Sequence, residues 1–473
     1  MYNPFRVGIL WATFPRVRSY VATLGYDVQP LRGTEILQAT LPQRCVRRIQ
    51  TSVNPEARPH LENAIPLTFG RRGACQIQIS SERLQSRFIA PAAVTPLEET
   101  LAHALESPLE YPRLRQAVVA GDRVTLAVDR QTPQAETLIL GLWKLLESCG
   151  VSAPDVTILV PATLTPGVNP DLRRLLPAGV REQVVLKIHD PLDETSTAYL
   201  ATTAGGERVY LHKDLLDSDL PILIGGVGFD SVLGFRGGGS ALYPGLSNVE
   251  ALRKSVGQGH DELAPDDSRP LRQLMDEVAW LLGLQFAVQV VPSVGDGVCA
   301  VIAGQVDAAY QKARAVLTES WTLPTRTRAG MVIVAVDHDA NGHSWSQLGA
   351  ALDVARQLVS KEGRIVALTE LRSDLTPGMQ LLREVRSPRD ALKPLRDSQP
   401  LDMLAASQIA RALDWAGVSL LSGLSGDLVE ELGMLPLDET EELQRLVETE
   451  DSITVVQSAQ HVHVVRTKSK KPT

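Results

Sequence analysis

The chain has 473 residues, a net charge of −8, 44% hydrophobic and 22% charged residues. This is an ordinary globular mix that excludes a fibrous or wholly disordered protein. No run approaches the ~18 uninterrupted apolar residues of a membrane span, and the acidic balance argues against a dedicated nucleic-acid binder.

The charge is unevenly spread. Residues 1–72 hold ten Arg, no Lys and four acids, a net +6, which leaves −14 for the remainder. This stretch shows neither a 2.0 nor a 3.6 period, and its Pro, Arg and Gly content predicts a loose basic extension. Its longest apolar stretch, 7–14, is short and is followed by Arg16 and Arg18, unlike a secretory signal. The four cysteines, Cys45, Cys75, Cys149 and Cys299, form no CxxC pair. Scattered thiols of this kind are expected to be buried in a reducing compartment, so a cytoplasmic location is expected.

A short strand is expected at 76–80. Thr95-Pro96-Leu97-Glu98-Glu99 is a helix start, with Pro at the first helical position and early acids. Residues 124–128 form a continuous apolar strand, 135–148 a helix ended by Gly150, and 156–160 a second buried strand. Strand, helix, strand is a βαβ unit, so a parallel sheet follows. A helix at 170–176, strands at 184–188 and 209–211, a short helix at 213–218 and a strand at 220–224 continue the series. A helix is expected at 270–286, a strand at 286–291, a hairpin turn at Gly295-Asp296-Gly297, a returning strand at 298–302 and a helix at 305–317. Residues 330–433 repeat the strand–helix alternation, an acidic helix follows at 440–447, and strands at 452–456 and 462–465 precede a basic tail.

The pattern predicts an α/β fold of two α/β domains with parallel-type sheets and an interdomain cleft. The expected division is a basic extension at 1–72, an N-terminal domain at 73–270, a C-terminal domain at 271–444, residues 445–465 packing back on the N-terminal domain, and a tail at 466–473.

Ligands of parallel α/β sheets bind at the carboxyl ends of strands. Those loops offer Asp129 with Thr132-Pro133, the loop 161–169 with Thr163 and Thr165, the pair His189-Asp190, and Lys213. Asp129 is a carboxylate at a strand end, and the His189 imidazole is a candidate for acid–base work. Residues 225–245 hold eight glycines in 21 positions. Gly237 and Gly238 offer an anion nest, and Arg236 offers a fixed charge for a phosphate or carboxylate. The stretch lacks a GK[ST] end and is no P-loop. Asp337-His338-Asp339-Ala340-Asn341-Gly342-His343 is either a metal site or a polar loop.

Taken together, VTLAVDRQTPQ, VTILVPATLTPG, His189-Asp190, ERVYLHKDLLDSDLPILIGG, GFRGGGSALYPGLSN and CAVIAGQVDAAYQKA run in an order that resembles the nickel-pincer-nucleotide lactate racemases. The resemblance covers about residues 76–465 and never reaches 1–72. It implies two α/β domains with the site in the cleft between them, and it puts the cofactor-bearing lysine on Lys213. It also marks a divergent member. The family's metal-ligand histidine falls on Asp230 and its catalytic histidine on Thr165. Its substrate-binding arginine falls on Thr132. Gly238-Gly239-Ser240 replaces Gly-Gly-Arg-Lys, and a cleft lysine is replaced near Ala351. The resemblance therefore implies one of two functions. One is an isomerase of a 2-hydroxy acid or related small acid, with a nickel-pincer nucleotide on Lys213, Asp230 toward the metal, and His189 and Asp129 in catalysis. The other is a degenerate member that binds a nucleotide or small anion in the cleft without racemising it, through the Gly-rich loop and Arg236. Either way the expected partner is a small molecule, not a nucleic acid or a membrane.

Overall fold

The computed structural model describes residues 64–162, 171–338 and 344–467. Two six-stranded sheets carry the fold. The first runs in the order Val298–Gln305, Phe286–Pro292, Leu220–Gly226, Val124–Val128, Val156–Pro161, Val185–His189. All its pairs are parallel except that of the first two strands. The second runs Leu435–Leu437, Gly417–Leu421, Val359–Leu368, Ala329–Ala335, Ile453–Val456, Leu84–Phe88, and every pair is parallel.

The central strands are legible from their side chains. Val124–Val128 is buried at every position, as a strand covered on both faces must be. Leu138, Ile139, Leu142, Trp143 and Leu146 form the buried stripe of helix Ala135–Ser148, recurring at three- and four-residue steps. Helix Trp345–Leu358 starts at a capping box. Ser344 Oγ accepts from the Gln347 N–H, and Gln347 Oε1 accepts from the Ser344 N–H. No helix among the described residues is long and apolar enough to cross a membrane.

Several expectations are corrected. The boundary at 270/271 does not follow the sheets, because Phe286–Pro292 hydrogen-bonds alongside Leu220–Gly226 and so completes the first sheet. Residues 445–465 do not join that first sheet, and they meet the expected N-terminal domain through its strand Leu84–Phe88 and through Phe229, whose ring stacks on His463 at 4.7 Å. Ile453–Val456 enters the second sheet, between Ala329–Ala335 and Leu84–Phe88. Residues 64–72 of the expected loose extension are structured. Strand Ala64–Phe69 pairs with Gly73–Gln78, turning Ile65, Leu67 and Phe69 onto the outer face of the second sheet while Pro66 and Thr68 face out. The rest of that extension lies outside the described residues. Residues 171–177 form turns, and the helix expected near them is the short Ala178–Arg181.

Each sheet has one place where the strand order reverses direction. In the first sheet it lies between Val124–Val128 and Leu220–Gly226, and in the second between Ala329–Ala335 and Ile453–Val456. Diverging loops leave a crevice at such a point. The loops that follow these strands carry Asp129, Gln131, Asp230 and Arg236 on one side and Gln460 and His461 on the other. These two groups meet in the cleft between the sheets.

Candidate functional site

Residues Gly228–Asp230 and Gly234–Arg236 form a two-stranded antiparallel ribbon, in which Gly228 faces Arg236 and Asp230 faces Gly234. The two-residue period then puts Asp230 and Arg236 on one face. Gly234 has φ +80, and a Cβ there would fall 2.1 Å from the Pro265 carbonyl oxygen, so glycine is required. A Cβ on Gly228 would fall 2.5 Å from Arg236 Nε, so this glycine lets the guanidinium lie against the backbone.

Arg236 borders a cavity of about 270 Å³ with Asp129 and Asp230, and a second of about 220 Å³ with Gln131, Gln347, Gln408, Gln460 and His461. Among the described residues its guanidinium has no hydrogen-bonding partner, and its Nε is shielded from solvent. Two further shielded polar atoms without partners border the 220 Å³ cavity, Ser231 Oγ and Gln347 Nε2. Buried polar groups in folded proteins are ordinarily satisfied. Three unsatisfied groups around one hollow mark a place built for a polar ligand.

The electrostatics fit that reading. Burial pushes the Asp129 carboxyl up, against the pull of the Arg236 and Arg130 guanidinium groups. Burial, reinforced by the Arg236 charge, pushes His461 down to about 3. The His461 ring packs edge-on against Trp321 at 5.1 Å and stays neutral at physiological pH. A folded value far below the unfolded one means that the unfolded chain binds the extra proton. His461 therefore contributes stability above about pH 6.5 that is lost as pH falls toward 3, with a slope of up to ~1.4 kcal/mol per pH unit. His189, His212 and His463 are lowered by burial in the same direction. The urea midpoint should therefore fall between pH 7 and pH 4, and it should fall less in His461→Gln. An equal fall in both proteins would refute the assignment.

The sequence candidates separate in space. Asp129, Asp230 and Arg236 share one cavity. His189 does not border the cleft cavities. It is 1% exposed at the end of the first sheet's edge strand, its Nε2 donates to the Ser247 carbonyl at 2.6 Å, and its ring lies against His212 at 5.4 Å. Lys213 is exposed at the start of helix Lys213–Leu216 and is likewise absent from the cavity walls.

Gly237 and Gly238 do not form the expected nest. The Gly237 N–H donates to Ser240 Oγ at 2.7 Å, and the Gly238 N–H donates to Gln289 Oε1 at 3.0 Å. The Gly237 carbonyl accepts from Arg272 at 2.7 Å. With their polar groups engaged, these glycines anchor the segment that carries Arg236.

Asp337 is a strut. Its carboxylate accepts from the Gly295 N–H at 2.8 Å and from Ser458 Oγ, which ties the first sheet's hairpin to the second sheet. His338 accepts from Arg71 Nε at 2.6 Å. Residues 339–343 and Thr165 lie outside the described residues.

A nickel-pincer group needs its lysine and its metal donors around one hollow. The described residues do not fit it. Asp230 borders the cleft while Lys213 and His189 do not. Asp230 Oδ1 is already held by the Val232 and Leu233 N–H groups at 2.8 Å each. No group of three or more His, Cys, Asp or Glu side chains among the described residues could hold a metal ion.

Sequence reasoning passed over His461, Gln460, Gln347 and Gln408. The first two follow strand Ile453–Val456 and satisfy the same strand-end rule that found Asp129. Gln347 and Gln408 are polar residues on the buried stripes of their helices, which is itself a signal.

Residues 70–263 match the model of the lactate racemase N-terminal domain family. A search of curated protein sequences finds no match. The fold is similar to the structure of the lactate racemase apoprotein from Thermoanaerobacterium thermosaccharolyticum, with a TM-score of 0.69 and 19% identity, covering 85% of this chain and 100% of that one. It is also similar to a crystal structure of a protein from Thermotoga maritima, with a TM-score of 0.59 and 15% identity, covering 80% of this chain and 100% of that one.

Proposed function

We propose that this chain, lactate-racemase-like across residues 70–263, binds a small organic acid in the cleft without racemising it. The observation that carries this reading is the Arg236 guanidinium, which borders the cleft with no hydrogen-bonding partner among the described residues. A planar, permanently charged fork suits a carboxylate bidentately. The amides of Gln131 and Gln408 and the unpartnered Nε2 of Gln347 border the same cavity and supply donors and acceptors for the hydroxyl of a 2-hydroxy acid. Neutral His461 adds one more hydrogen-bonding group and cannot act as an acid near neutral pH.

Racemisation at the carbon beside a carboxylate breaks a bond to hydrogen on one face and remakes it on the other, and it needs groups that take up and return a proton. The resemblance assigns that work to a catalytic histidine, which Thr165 replaces. His189 is engaged with the Ser247 carbonyl away from the cleft walls. The competing reading, an isomerase with a nickel-pincer nucleotide on Lys213, draws on the retained lysine and on the lactate racemase N-terminal domain match over residues 70–263.

Calorimetric titration of the full chain with lactate should show saturable binding, and incubation of either enantiomer should leave its optical rotation unchanged. After co-expression with the cofactor-making enzymes, the intact mass should equal that of the unmodified chain. An adduct on Lys213, or racemisation of lactate, overturns the reading.

A further inference from the structure

The cleft opens into a larger chamber of about 610 Å³, which shares Phe229, Asp230, Gln408 and Gln460 with the Arg236 cavity. Its acids are already engaged, Asp230 Oδ1 by the Val232 and Leu233 N–H groups and the other three by basic side chains. Asp353 pairs with Arg356 at 2.8 Å, and Asp261 pairs with Arg356 at 3.2 Å and with Arg411 at 3.5 Å. Glu262 pairs with His260 at 3.1 Å.

Three other guanidinium groups on the wall have no such partner; Arg269 is buried and commits Nη1 to the Ala264, Pro265 and Asp267 carbonyls, which leaves Arg328 and Arg466. Arg328 donates Nη1 to the Val359 carbonyl at 2.9 Å and lies over the Trp415 ring at 4.4 Å. Arg466 donates Nη2 to the Gln357 carbonyl at 3.2 Å. Among the described residues neither has a carboxylate within ion-pair distance, so most of the five N–H donors of each are uncommitted. Strand Thr322–Thr325 runs parallel to His463–Arg466, with Thr325 beside Arg466, and this brings the two arginines to one edge of the chamber. Burial, together with the neighbouring Arg466 and Arg356 charges, lowers the Arg328 value. Like charges converging on a hollow with no acid between them are stabilised by an anion that enters it.

We propose that Arg328 and Arg466 form a second anion subsite, for a phosphoryl group, distinct from the carboxylate anchor at Arg236. Tetrahedral oxyanions accept several N–H donors at once, and arginine forks match them. Because the two cavities share walls, a ligand reaching from one to the other carries an anionic group at each end.

The test is calorimetric titration of the full-length protein with inorganic phosphate and, separately, with lactate. Phosphate should bind the unaltered chain. Its affinity should fall about tenfold or more in the Arg328→Gln/Arg466→Gln double variant, while lactate affinity stays within twofold. Arg328 also packs on Trp415, so Arg466→Gln alone, at an exposed position, is measured beside the double variant and should lose about threefold or more. Arg236→Gln should keep phosphate binding. No phosphate binding by the unaltered chain overturns the subsite, as does phosphate affinity unchanged in both arginine variants. Phosphate binding lost in Arg236→Gln and kept in the double variant places the anion at Arg236 and also overturns it. Phosphate binding that depends on Arg328 and Arg466 in a chain that ignores lactate supports the subsite and refutes the carboxylate reading alone.

Discussion

Replacing Arg236 with glutamine should lower affinity for lactate about ten- to hundredfold and leave the urea midpoint no lower than that of the unaltered chain. Hydrogen bonds to a charged partner are worth about 1.5–3 kcal/mol, and each 1.4 kcal/mol is about a factor of ten in Kd. Glutamine keeps a hydrogen-bonding end but loses the charge and the fork. Stability should not suffer, because the guanidinium satisfies nothing within the described residues while burying a cation in the cleft. Arg236→Lys should recover only part of the affinity, since an ammonium is a point charge that cannot chelate both carboxylate oxygens. The loss of the cation also removes the larger of the two guanidinium charges that hold the Asp129 carboxyl down against burial, so Asp129 should titrate at higher pH in the glutamine variant. Calorimetry checks the affinity and a carboxyl-resolved pH titration checks Asp129. A lactate Kd within twofold of the original would dismiss Arg236 as the anchor.

The chain announces what is local and hides what is long-range. Val124–Val128 and Ala135–Ser148 have the bounds that their apolar runs and breakers predict. Strand Ala64–Phe69 escaped notice because Pro66 interrupts it and arginines surround it, although Ile65, Leu67 and Phe69 keep the two-residue period. The partners of Phe286–Pro292 and Ile453–Val456 are set by pairing across long sequence separations, which no local period encodes.

The same distinction sorts the candidate site. Asp129 and Arg236 follow strands at the reversal point of the first sheet, and there the strand-end rule succeeds. His189 ends an edge strand, away from that point. The strand before Lys213, Arg208–His212, belongs to a separate two-stranded ribbon with Thr197–Thr202, so its end is not an end of the main sheet. Position in the sheet order, rather than the presence of a strand, decides which loops face the cleft.

The largest stability effect should come from Trp321→Ala, at about 3–5 kcal/mol. Trp321 is 0% exposed at the end of helix Val306–Trp321. Its Nε1–H donates to the Pro292 carbonyl at 2.9 Å, at the end of a first-sheet strand. Its ring lies 5.8 Å from Phe88, on the second sheet's edge strand, and 5.1 Å from His461 in the cleft. One side chain thus joins both sheets and backs the site. Alanine removes the indole volume from a close-packed interior and leaves a buried carbonyl without its donor, and the two costs act together. Trp321→Phe separates them, since it keeps most of the packing and removes only the N–H, so it should cost about 1–2 kcal/mol. The two variants should also part in function. Phenylalanine still walls the His461 ring and should leave lactate binding near its original value. Alanine lets that ring move and should weaken binding even where the chain remains folded. Urea denaturation followed by tryptophan-independent circular dichroism reads the first effect, and calorimetry in the absence of urea reads the second. A Trp321→Ala midpoint that corresponds to less than about 1 kcal/mol would mean that the two sheets are held together elsewhere.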